Sequence, residues 1–165
     1  MNSKDEARAA QRTGHLMAQG YNCSEAMMLA VGEYLLGYVD YWQQRMACGL
    51  AYGVGCTRQE LCGALSAGVL LIGAVHGRTR PDEDNSQCQK LVAEYRERFA
   101  QELGATLCRD LQANGYGSNE EMPCSMLVER AARILLQILA IEDEFEDTQG
   151  RCSDVQNNGR QDSNH

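Results

Sequence analysis

From Ala64 to Val75 the chain runs twelve residues without a charge, and half of them are Ala, Gly or Ser. A helix crossing a membrane needs about 20 apolar residues, so this stretch is too short to span. It reads instead as a buried core helix around which the other segments must pack. With Thr57 as its cap and Glu60 three residues later, the sequence predicts a helix from Thr57 to Gly77 opened by a capping box. Gly63, Ala64, Ala67 and Gly68 leave little side-chain bulk along it, so a neighbouring helix or a cofactor can approach its backbone closely.

The other segments carry the 3.6-residue periodicity of amphipathic helices. Stop and start signals place them at about residues 3–19, 22–37, 39–51, 86–103 and 106–112, with a last one from Pro123 to about Glu146. Asn22 and Glu25 form a second capping box. No useful strand-like alternation occurs. The expected fold is all-α: a single-domain helical bundle of six or seven helices around a central helix rich in small residues. Residues 1–143 make the domain, and 144–165 read as an acidic, disordered tail. Met17, Met27, Met28 and Met46 read as core packing.

Charge narrows the partners. Residues 141–165 hold seven acidic and two basic side chains, a charge of −5 out of −8 for the whole chain. No basic stripe is present, which argues against nucleic acid as a partner and against an anionic membrane surface. The first twenty residues are charged and polar, without the apolar core of a secretory signal. The reading is a cytoplasmic protein without membrane insertion, in a compartment where thiols are kept reduced.

Eight cysteines stand out there: Cys23, Cys48, Cys56, Cys62, Cys88, Cys108, Cys124 and Cys152. On the helical map Cys23, Cys108 and Cys124 fall in opening turns, and Cys62 lies slightly deeper in the central helix. A helix N-terminus stabilises anions, so these four are expected to have thiol pKa values lowered toward neutrality. Cys88 shares the apolar face of its helix, and Cys152 falls beyond the fold. There is no C-x-x-C pair, so neither a zinc ribbon nor a thioredoxin-type dithiol follows from spacing. Any site must gather cysteines from separate helices. His15 and His76 are better read as surface or capping residues than as ligands, while Tyr21 and Arg109 stand beside Cys23 and Cys108.

The string Gly20-Tyr-Asn-Cys-Ser-Glu-Ala26 resembles the bacterial family named C-GCAxxG-C-C. So do Gly53-Val-Gly-Cys-Thr-Arg-Gln-Glu-Leu-Cys-Gly-Ala-Leu-Ser-Ala-Gly68, residues 99–111, and the helix carrying Cys124. The likeness covers residues 20–139 and implies a redox-active protein with four cysteines, carried here by Cys23, Cys62, Cys108 and Cys124. Ala67 stands where the family motif has Gly, with Gly68 just after it. Cys56, in a Gly-rich turn, is the extra cysteine best placed to join them.

The leading expectation is an iron–sulfur cluster, of the [4Fe–4S] type or a related one. Those cysteines would be its ligands, serving electron transfer with a redox partner protein. Gly63, Ala64, Ala67 and Gly68 would lie against it. Two alternatives stay open: a thiol–disulfide oxidoreductase or redox sensor, and a structural zinc site of four thiolates in an interaction module. The small-residue surfaces also suit a homodimer.

Overall fold

The computed structural model describes residues 3–118 and 120–156, with side chains described as far as Ala140. Among them seven helices follow one another: α1 (Ser3–Ala18), α2 (Cys23–Leu36), α3 (Tyr41–Cys48), α4 (Gly63–His76), α5 (Ser86–Leu103), α6 (Cys108–Ala113) and α7 (Cys124–Gln156). The protein is all-α, and none of these helices is long and apolar enough to cross a membrane. The backbone of α7 is helical as far as Gln156, so the expected tail from residue 144 begins as helix. The side chains of that tail, Cys152 among them, and residues 157–165 lie outside the described residues.

The bundle closes around α4. Helix α1 packs on α2 and α7, α2 on α4, and α4 on both α5 and α7. Local chemistry sets the starts. Asn22 and Glu25 form the expected capping box of α2, the Asn22 N–H donating to the Glu25 carboxylate at 2.9 Å. Helix α3 starts two residues later than predicted, because Asp40 caps it: Gln43 N–H donates to the Asp40 carboxylate at 2.8 Å. Ser24 then donates to the Ala47 carbonyl at 2.7 Å and ties the two helices together. Met27 and Met28 are buried as expected, whereas Met46 is 64% exposed, on the outer face of α3.

Tyr95 fills the space beside the small-residue stripe of α4. Its ring is fully buried, with Phe99 edge-on at 6.1 Å. Its hydroxyl lies 3.4 Å from the carbonyls of both Ala64 and Ala131, joining α4, α5 and α7. A Cβ on Gly68 would stand 2.7 Å from that hydroxyl, so glycine is required for the aromatic ring to seat. Ala64 and Ala67 are fully buried in the same core. The small-residue surface at Gly68 is thus spent on aromatic packing.

The predicted start of α4 differs most. The helix begins at Gly63 with Cys62 as its cap, and residues 49–62 form a compact loop. Within it Tyr52, Gly53, Val54, Gly55, Cys56 and Arg58 have φ between 47° and 72°, all in the left-handed region. Four of these carry a Cβ, and each costs about 1–2 kcal/mol there. The Thr57 hydroxyl bonds back to the Gly53 carbonyl at 2.6 Å instead of capping a helix. Further bonds, Arg58 N–H to Tyr52 O at 2.8 Å and Gly55 N–H to Gly49 O at 2.9 Å, close the turn.

Candidate functional site

Four helix starts converge at one end of the bundle. Cys62 caps α4, while Cys23, Cys108 and Cys124 are the first residues of α2, α6 and α7. A short antiparallel bridge sets two of them: Cys62 N–H donates to Thr106 O at 2.9 Å, and Cys108 N–H to Glu60 O at 2.8 Å. The four cysteines line one cavity, together with Tyr52, Gly63, Tyr116, Leu111, Gln112, Leu127 and Val128. Its volume is about 20 Å³. That is room for on the order of one water.

Glycine makes the thiols fit. A Cβ on Gly63 would stand 2.5 Å from the Cys23 sulfur, and one on Gly117 2.5 Å from the Cys124 sulfur. At Gly53 it would lie 2.8 Å from Cys108 Cβ. Gly53 and Gly117 also hold φ values of +72° and +71°, so two constraints meet at each. The left-handed turn covers the cavity: the Tyr52 N–H points at the Cys23 sulfur, 3.5 Å away. Across the cavity the buried Tyr116 ring is anchored by Arg130, whose guanidinium donates to the Tyr116 hydroxyl at 2.6 Å.

The electrostatics run opposite to the sequence expectation. Burial pushes the thiols of Cys23, Cys62, Cys108 and Cys124 up, not down, and Cys62 reaches about 12. Mutual repulsion between these sulfurs adds to the effect on Cys62, Cys108 and Cys124. The N–H groups of Ala64 and Leu65 pull the other way at Cys62. Magnitudes decide the outcome: a helix N-terminus is worth up to about 2 kcal/mol. Holding a thiol at about 12 instead of 9 corresponds to about 4 kcal/mol. The guanidinium of Arg58 favours the thiolates of Cys108 and Cys124. Arg109 instead pairs with Asp110 at 3.2 Å.

Of the residues singled out from sequence, Cys23, Cys62, Gly63, Cys108 and Cys124 come together at the cavity. Ala64, Ala67 and Gly68 do not line it, and neither do Tyr21, His15 or His76. Cys56 is exposed on the outer side of the turn, and Cys88 is buried in the core. Tyr52, Arg58 and Tyr116 were missed. The glycines flanking Tyr52 and Tyr116 gave the one sequence signal, a backbone obliged to turn.

The chain matches the model of a family described as "Putative redox-active protein (C_GCAxxG_C_C)" over residues 21–138. No curated protein and no solved structure matches it.

Proposed function

The chain belongs to this redox-active family, and from that premise we propose that it binds an iron–sulfur cluster and passes electrons to a redox partner protein. Cys23, Cys62, Cys108 and Cys124 are its ligands, and four thiolates match the usual ligand count of such clusters. The observation that carries the reading is the cavity itself, onto which four helix starts bring four cysteines from distant parts of the chain. Gly63 and Gly117 keep methyl groups out of the space beside the Cys23 and Cys124 sulfurs, and Gly53 does so beside the Cys108 Cβ.

Among the described residues no three Cys, His, Asp or Glu side chains converge on a single metal position. When bound, such a cluster gains and releases single electrons. The protein's own residues set the conditions. Leu111, Leu127, Val128 and the Tyr116 ring exclude water, and the Tyr52 N–H and the Arg58 charge favour the more negative sulfur state.

Anaerobic purification followed by iron, sulfide and zinc analysis tests this. The expected result is a brown protein with matched iron and sulfide, both lost in Cys62→Ser. A colourless chain without metal, its cavity thiols forming disulfides in a redox titration, overturns the reading in favour of a thiol–disulfide oxidoreductase. Zinc at about one per chain, as a four-thiolate site requires, overturns it in favour of a structural module.

A further inference from the structure

The turn that covers the cavity carries a cysteine at each end on its outer side. Cys48 closes α3 and Cys56 lies in the left-handed run, and both are exposed. Ala51 joins their backbones: its N–H donates to Cys48 O at 3.3 Å, and its carbonyl accepts from Cys56 N–H at 3.0 Å. One residue inward, Gly55 N–H donates to Gly49 O at 2.9 Å, so the two cysteines flank a loop already closed at its base. The Glu25 carboxylate pushes the exposed Cys48 thiol up, and Cys56 adds a smaller push in the same direction.

We propose that Cys48 and Cys56 form a second, peripheral redox site, a surface dithiol that cycles to an intramolecular disulfide by exchange with small soluble disulfides. Exposure gives the incoming disulfide access that the buried cysteines lack. Cys56, as its thiolate, attacks one sulfur of the incoming disulfide. A mixed disulfide forms, and the first small thiolate leaves, taking up the Cys56 proton. The Cys48 sulfur then attacks Cys56 and expels the second small thiol, to which the Cys48 proton passes through solvent. Two electrons move from the protein to the small disulfide, and the only new bond in the protein joins Cys48 to Cys56.

The site lies outside the cavity and does not rest on what the cavity binds. Closing the bond would staple the ends of the turn bearing Tyr52 and Gly53, both of which touch the cavity cysteines.

Trypsin releases residues 46–58 as one peptide, between Arg45 and Arg58, with Cys48 and Cys56 as its two cysteines. The reduced full-length protein is treated with oxidised glutathione, alkylated with iodoacetamide, digested and weighed. The expected product is this peptide lighter by two hydrogens and carrying no alkyl group. In Cys48→Ser, glutathione is expected to accumulate on Cys56, faster than on Cys48 in Cys56→Ser. A peptide bearing two glutathiones, one cross-linked to another chain, or one still alkylated at both cysteines overturns the proposal. Iron and sulfide are measured on the same sample, so a cavity that binds neither is recognised separately from a dithiol that fails to close.

Discussion

Two sets of cysteines face each other across one turn of backbone. Inside, Cys23, Cys62 and Cys108 are buried and, with Cys124, enclosed by Gly63, two tyrosine rings and the aliphatic side chains of Leu111, Leu127 and Val128; outside, Cys48 and Cys56 meet solvent. Tyr52 stands between them, its phenol pushed up by burial first, then by Cys23 and Cys124, and by Cys56 beyond. The residue type is the same on both sides, so the surroundings assign the chemistry. Desolvation holds the inner thiols protonated, which makes them poor nucleophiles. Access makes the outer thiols available for exchange.

The sharpest test of that division is Gly63→Ala, whose added methyl would stand 2.5 Å from the Cys23 sulfur and 3.1 Å from the Leu50 carbonyl. Displacing one ligand sulfur should lower iron content by more than about tenfold, as losing about 1.4 kcal/mol or more of binding implies. The chain should stay folded by circular dichroism. Gly68→Ala is the counterpart, because its methyl meets the Tyr95 ring. Overpacking there should cost about 1–3 kcal/mol of stability in urea titration and leave iron loading intact in the folded fraction. Equal iron loss in both variants would break the distinction between the start of α4 and its middle.

The next effect follows pH. In the reduced, cluster-free chain the folded thiol of Cys62 is raised from 9.0 to about 12. The stability it contributes is therefore fully present below pH 9 and is lost as pH rises toward 12. Over that window unfolding free energy should fall by about 1.4 kcal/mol per pH unit from this group alone. Cys23, Cys108 and Cys124 shift in the same direction and add to it. Once a cluster is bound, protons compete with the metal for the sulfurs, so the sensitivity should move to the acid side. Denaturation midpoints measured from pH 7 to 11, with and without iron, check both halves.

The smallest effect is expected outside. Replacing Cys48 and Cys56 together by Ser should change stability by no more than about 0.5 kcal/mol, as for other surface substitutions. Iron content and visible absorbance should not change. Loss of iron in that double variant would make the outer pair part of the inner site.

The helical architecture and the four cavity cysteines were legible in the sequence, because capping residues, periodicity and the family motif all bear on them. The loop before α4 was not. Thr57 and Glu60 have the spacing of a capping box, but left-handed glycines at 53 and 55 bend the chain first and draw the Thr57 hydroxyl to Gly53. Arg58 comes near Cys124 only through tertiary folding, so no local pattern marks it. The direction of the thiol shifts was misread for a related reason. Helix position can be read from sequence, but the enclosure that outweighs it depends on Leu127 and Val128, a helix away from three of the cysteines.

The wide separation of those cysteines along the chain has a consequence for how the protein is made. Cys23 and Cys62 leave the ribosome long before Cys124, which follows Cys23 by 101 residues. At about 5–20 residues per second that is an interval of about 5–20 s in which the first thiols lack their last companion. A ligand needing all four can be installed only after the start of α7 has emerged. A chain truncated before residue 124 thus carries only three of the four cavity cysteines.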